Sequence, residues 1–175
     1  MHIDHHRVVE IRLKPFEPLV LALAQALRDG GLKLATAESC TGGLIAAACT
    51  AVAGSSDWFE RGFVTYSNEA KKELLGVDAA LIAANGAVSR EIAQAMAEGA
   101  LARSHAELAV AVTGIAGPGG GAPGKPVGTV WLAVAARGGS TETERLNLSG
   151  DRASIREQTV QHALQRLITR VARAR

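Results

Sequence analysis

Polar residues interrupt apolar stretches of this 175-residue chain at three places, and each supplies groups that amide chemistry needs. The first is Glu38-Ser39-Cys40-Thr41-Gly42-Gly43. It falls between a short apolar run, Leu32 to Ala37, and a longer one, Leu44 to Val52. Its hydroxyls and amides therefore gather where a strand ends and a helix begins. Donors converging at such a point suit a phosphate or a developing oxyanion. The same residues serve equally well as a plain helix cap, with Ser39 or Thr41 satisfying free N–H groups.

The second is Gly54-Ser55-Ser56, followed across one strand by Tyr66 and then Lys71. A serine hydroxyl is a weak nucleophile until a neighbour takes its proton. Lysine does this only when neutral, which requires burial or a nearby cation to bring its pKa from about 10.4 toward about 7–8. Lys71 follows Ala70 on a short helix whose one face can turn inward, and Tyr66 is placed to relay a proton or orient the amine. Spacing alone is a weak signal. Ser56 and Lys71 are fifteen residues apart, unlike the local S-x-x-K of penicillin-binding enzymes. Most lysines, moreover, lie at the surface. The third segment, Thr113-Gly114-Ile115-Ala116-Gly117-Pro118, follows a buried strand and puts further backbone N–H groups at a sheet edge, or else makes a plain turn. Arg152, at the start of the last helix, either clamps a phosphate or lies in solvent. Cys40 is a rival nucleophile, because a helix N-terminus depresses a thiol's pKa. A small half-buried cysteine is more commonly packing.

Other patterns mislead. Gly119-x-Gly121-x-x-Gly124 fits a dinucleotide fingerprint, and Gly119 to Lys125 fits the first seven positions of a phosphate loop. Both fingerprints need a helix straight after the glycines, because its N-terminus holds the phosphate. Here the loop runs into Val127-Gly128-Thr129-Val130, a strand pattern, and Pro126 stands where a hydroxyl should meet magnesium. No HExxH, paired CxxC or acidic cluster of metal-ligand spacing occurs, so no metal site and no cofactor is expected.

The elements that must position these groups alternate between helical and strand patterns. Phe16 to Arg28 carries a helical apolar stripe and stops at Gly30-Gly31. Leu32 to Ala37 reads as a strand, Leu44 to Val52 as a buried helix, and Gly62 to Tyr66 as a second strand. Asn68 to Leu75 is a short helix, and Ser89 caps another that runs to Arg103. Leu108 to Val112 is a strongly apolar strand. Val130 to Ala136 and Glu142 to Leu148, joined by Gly138-Gly139, predict an antiparallel hairpin. Asp151 caps a last helix reaching nearly to Arg175. The expected fold is α/β, a three-layer α/β/α sandwich on a mixed sheet of about five strands. The chain divides into an N-terminal extension, residues 1–14, expected to be mobile, and a single domain, residues 15–175.

Composition bounds the partners. A net charge of +2, with basic residues not interleaved with aromatics, does not fit a nucleic-acid surface. No apolar run reaches the ~18 residues of a membrane span, and Met1 to Lys14 has no apolar leader core. Cys40 and Cys49 make no disulfide framework, so a reducing cytoplasm is the expected compartment. His2, His5 and His6 lie in a polar terminus without a cysteine partner and read as an exposed tail.

Several blocks in order resemble the CinA C-terminal domain family: Ala37 to Gly43; Gly54-Ser55-Ser56-x-Trp58-Phe59-x-x-Gly62-x-Val64-Thr65-Tyr66-Ser67-Asn68-x-Ala70-Lys71; Gly86-Ala87-Val88-Ser89; Thr113 to Pro118 with Gly120-Gly121; and Lys125 to Val130. The likeness extends from about Leu19 to about Arg170. Stand-alone members of that family are nicotinamide-nucleotide amidases, and the nucleotide-processing domain that some relatives carry at the N-terminus is not expected here. The resemblance implies an α/β/α fold, a homodimer, a small nucleotide substrate and a serine–lysine mechanism without metal. Carried over by motif, Ser56 is the implied nucleophile, Lys71 the base and Tyr66 a helper in proton transfer. Glu38, Ser39, Thr41, Gly42, Thr113 and Gly114 are the implied substrate-binding groups, with Arg152 meeting the phosphate. The rival reading is a nucleotide-sensing or partner-binding module without turnover.

Overall fold

A computed structural model describes residues 12–174. The expectations for the histidine-bearing tail fall on residues outside that range, and Lys14 already belongs to a 3-10 turn, Lys14–Phe16. From there the chain forms α1 (Glu17–Gly30), β1 (Leu34–Glu38), α2 (Leu44–Thr50), a second 3-10 turn (Ser55–Asp57) and β2 (Phe59–Val64). Next come α3 (Asn68–Leu75), α4 (Ala79–Asn85), α5 (Arg90–Ala102) and β3 (Leu108–Gly114). The hairpin β4 (Thr129–Ala136) and β5 (Thr141–Asn147) leads to α6 (Arg152–Arg173). Local chemistry sets several boundaries. Ser67, Ser89 and Asp151 accept backbone N–H bonds at the starts of α3, α5 and α6. Helix α4 was not anticipated. It is seven residues of mostly alanine with no apolar stripe, started by Asp78, whose side chain accepts the Ala80 N–H.

The five-stranded sheet has the order β2-β1-β3-β4-β5. Strands β2, β1 and β3 are parallel, and β4 and β5 are antiparallel to their neighbours. Its two faces differ in residue size. Leu34, Leu108, Val110, Val112, Leu132 and Val134 pack on α1, α2 and α6. The other face is alanine: Ala35, Ala109 and Ala135 are paired across three strands, as are Ala37, Ala111 and Ala133. Small side chains let α5 lie close to the sheet, with Ile92, Met96 and Ala100 fully buried against them. The crowding continues beyond α5, because a Cβ on Gly99 would stand 2.1 Å from the Leu75 carbonyl oxygen. Burying each Leu, Val or Ile side chain contributes roughly 1.5–3 kcal/mol, so both faces stabilise the sandwich.

The sheet also fixes where chemistry can happen. The chain leaves β1 toward one edge, β2, and leaves β3 toward the other, β4 and β5. Loops diverge between the carboxyl ends of β1 and β3, and such a crevice is the usual ligand position in open α/β sheets. The segment Glu38 to Gly43 and the loop 115–128 both start there. The glycine-rich part of that loop runs into strand β4, not into a helix.

Candidate active site

The segment after β1 is held from both faces. Alternation along a strand sends successive side chains to opposite sides, and Glu38 and Ser39 follow this rule. Glu38, fully buried, turns toward α2. One of its carboxylate oxygens accepts the Thr41 hydroxyl at 2.6 Å and the Ile45 N–H at 2.8 Å, and the other accepts the Ala46 N–H at 3.0 Å. This puts a carboxylate at the N-terminus of α2, where the first-turn amides are otherwise unpaired. Burial pushes the Glu38 carboxyl above its ordinary range, and the donors from Thr41, Ile45, Ala46 and Gly43 pull it back. Gly43 precedes α2 with φ +100°, a backbone shape that a side chain would strain.

Ser39 turns the other way, to Lys71 of α3. The lysine is 1% exposed, and its Nζ donates to Ser39 Oγ at 3.1 Å and to the Thr65 carbonyl oxygen at 2.9 Å. Ser39 itself is 8% exposed. Its backbone N–H is bonded to Val112 O, and Thr65 N–H to Glu38 O, so the ends of β3, β1 and β2 are tied together beneath the pair. Burial pulls the Lys71 amine below the ordinary lysine range, with Cys40 opposing the shift. A serine hydroxyl beside an amine that gives up its charge readily is a nucleophile–base pair in geometry.

Ser56 is not part of this arrangement. It lies exposed in the turn before β2, whereas Lys71 follows the end of that strand. Strand β2 spans six residues, roughly 20 Å at about 3.3 Å each, so the two residues occupy opposite ends of the sheet. Hence the expected Ser56–Lys71 pair is replaced by Ser39–Lys71. Cys40 also loses its case as a thiolate, because burial pushes its thiol up to about 12.

The remaining expected site residues divide. Glu38 and Thr41 are fully buried and bonded to each other, so their side chains brace the turn. Thr113, 1% exposed, donates its hydroxyl to Ala87 O, tying β3 to the start of α5's capping loop. At Gly114 a Cβ would come 2.6 Å from Val130 Cγ2, so its place reflects close strand packing. Gly42 is exposed beside the Ser39 turn. Tyr66 is 61% exposed, and its hydroxyl oxygen accepts from Arg152 Nη2 at 3.0 Å. Arg152 Nη1 donates to Gly117 O at 2.8 Å. Arginine and tyrosine thus bridge the mouths of two loops, and Tyr66 makes no hydrogen bond to Lys71. One residue was missed altogether. Arg156, one helical turn beyond Arg152, donates to Cys40 O at 3.2 Å and to Thr41 O at 3.0 Å. Its signal in the sequence was the i, i+4 spacing from an arginine already suspected.

Comparison with known proteins places this geometry in a family. The model of the CinA C-terminal domain matches residues 16–171. A protein of Escherichia coli K12 named nicotinamide-nucleotide amidohydrolase PncC is 52% identical over 83% of this chain and 88% of its own length. A CinA-like protein of Akkermansia muciniphila is 59% identical over 81% of this chain, of which the match covers 34% of the relative. The chain spans about a third of the length of such longer curated relatives, 34–37%. Among solved structures, the competence/damage inducible protein CihA from Agrobacterium tumefaciens superposes with a TM-score of 0.86 at 51% identity, covering 88% of this chain and 94% of that one. Matched along almost all of its described length, and at more than half identity to full-length relatives, the chain belongs to the CinA C-terminal domain family.

Proposed function

We propose that this chain is an amidohydrolase that converts nicotinamide mononucleotide to nicotinate mononucleotide and ammonia, with Ser39 as nucleophile and Lys71 as its base. The observation that carries the reading is the buried Lys71 amine 3.1 Å from Ser39 Oγ. The substrate comes from the E. coli relative's name, supported by 52% identity over a match covering 88% of that protein.

In the neutral amine the contact reverses: the Ser39 hydroxyl donates to the Nζ lone pair while an Nζ–H still donates to Thr65 O. Lys71 takes the hydroxyl proton as Oγ bonds to the carboxamide carbon. The carbonyl oxygen becomes an oxyanion in the tetrahedral intermediate. Collapse breaks the C–N bond, and the Lys71 ammonium gives its proton to the leaving nitrogen, which departs as ammonia. Water, deprotonated by Lys71, then attacks the acyl-enzyme carbon; the acid is released and the proton returns to Ser39 Oγ. Arg152, exposed at the loop mouth, is the proposed contact for the nucleotide phosphate, with Tyr66 beside it. The same reading takes the protein as a cytoplasmic homodimer acting on a small molecule, without nucleic acid or membrane. No described helix is long and apolar enough to cross a bilayer.

The test is ammonia release from nicotinamide mononucleotide with a chelator present, for the wild type and for Ser39→Ala. Turnover by the wild type and none by the variant is the expected result. Tight nucleotide binding by the wild type with no ammonia released would instead favour a sensing module.

A further inference from the structure

The guanidinium of Arg156 reaches over the start of α2 from α6 and grips two successive carbonyls, Cys40 O and Thr41 O. We propose that Arg156 is a positioning residue that aims the Thr41 backbone N–H at the oxyanion of the tetrahedral intermediate. The inference rests on the Ser39 reading above.

The first step is a census of donors beside Ser39. Its own N–H is bonded to Val112 O, and the Gly42 N–H to Ser39 O. Glu38 takes the N–H groups of Ile45 and Ala46 and draws on that of Gly43. The Cys40 N–H faces its own sulfur. Among the described residues the Thr41 N–H has no hydrogen-bond partner. Yet Thr41 is otherwise fixed: its side chain is fully buried and donates to Glu38, and its carbonyl accepts from Arg156.

The second step is direction. A trans peptide holds its C=O and N–H on opposite sides of one plane. Arg156 stands on α6, which packs on the leucine–valine face of the sheet. Gripping Cys40 O draws that oxygen to the α6 side, so the N–H in the same peptide, that of Thr41, is turned to the other side. Ser39 Oγ and Lys71 lie on that other side, with α3. A donor held rigid before reaction stabilises charge as it develops without reorganising, which is how oxyanion sites act. Arg156 is spent on carbonyls and acts through the backbone, touching no reacting atom.

The experiment measures kcat and KM for nicotinamide mononucleotide in the wild type, Arg156→Ala and Arg156→Lys, with melting temperatures. Loss of one oxyanion donor costs roughly 10²–10³ in kcat. Arg156→Ala should therefore lose about a hundredfold in kcat with KM changed less than about threefold. Arg156→Lys, with one ammonium unable to span both carbonyls, should also lose kcat while melting close to the wild type. Free guanidinium, added well below denaturing concentrations, should restore part of the kcat of Arg156→Ala; a purely structural loss would not respond. Unchanged kcat in either variant overturns the proposal. So does a rise in KM at constant kcat, which would make Arg156 an anion contact for substrate. A wild type that releases no ammonia fails the amidase reading itself, which is a separate result from an active wild type beside an unimpaired Arg156→Ala.

Discussion

The two ends of the parallel strands present the same residue type in opposite settings. At the carboxyl end of β1, Ser39 sits among Glu38, Thr41, Thr65, Lys71 and Thr113, all buried. At the amino end of β2, Ser56 lies exposed in a turn, and its neighbours Arg28 and Asp57 meet in solvent with side chains 38% and 65% exposed. Burying polar groups is unfavourable unless each finds a partner, and burying an amine more so. A chain selected only for stability would have little use for Lys71 at 1% exposure. The difference teaches that a serine's chemistry is set by what the fold withholds from water around it, and that water is withheld at one end of this sheet and not at the other.

The largest effect should come from exchanging the two serines for alanine. Ser39→Ala is expected to lower ammonia release by about 10⁴-fold or more, the scale seen when a catalytic nucleophile is removed. Ser56→Ala should keep turnover within about threefold. Both should melt near the wild type. The reverse outcome would move the working end of the sheet to the other side.

Lys71→Met sharpens the same contrast through pH. The variant should be inactive, and the wild-type kcat/KM should rise with pH as Lys71 sheds its proton below the ordinary lysine range. The stability consequence has a definite sign. The folded-state pKa is depressed, so between it and the ordinary lysine value the unfolded chain binds more protons, and stability rises with pH. The wild type should therefore gain on Lys71→Met as pH rises through that window, by at most about 1.4 kcal/mol per pH unit. Urea unfolding at neutral and at alkaline pH measures it. A gap between the two proteins that is flat in pH would mean an amine no less charged than one in water.

A smaller change is expected for Glu38→Gln. One amide group cannot offer two acceptor edges, so its NH₂ must face either the Ala46 N–H or the pair formed by Thr41 and Ile45. A buried donor left unmet costs about 1–3 kcal/mol, to be read from urea midpoints. Turnover should fall as well, since the carboxylate anchors the turn that carries Ser39. Wild-type stability in this variant would show that the Glu38 side chain contributes little as a cap.

How much of this was legible in the sequence depended on range. Local signals read well: Ser89 and Asp151 marked helix starts, and the apolar runs of β1, β3 and β4 marked strands within a few residues. The alanine pattern of α4 carried no period to read. The candidate base was visible as a type, but its partner was not. Ser56 is nearer to Lys71 in the chain than Ser39 is, which stands 32 residues away. A strand, however, carries its two ends apart. It is the parallel register, Glu38 opposite Val64, that returns the chain to Ser39, and register is a property of two strands at once. The supporting role of Glu38 was hidden for a similar reason, since its partners Ile45 and Ala46 offer only backbone.

The smallest effect should be found at the exposed end. Asp57 Oδ2 lies 3.5 Å from Arg28 Nε, and Arg28 also donates to Gly54 O at 2.9 Å, a bond that survives when the acid is neutralised. Exposed pairs of this kind contribute about 0–1 kcal/mol because water screens them and two long side chains must be held still. Asp57→Asn should change the unfolding free energy in urea by less than about 1 kcal/mol, leave ammonia release unchanged, and show a difference that shrinks further in high salt. The turn holding Ser56 would then be free to vary without touching the chemistry. A loss of about tenfold in turnover from this one neutralisation would mean that the two ends are coupled through β2, and that the exposed end does more than begin a strand.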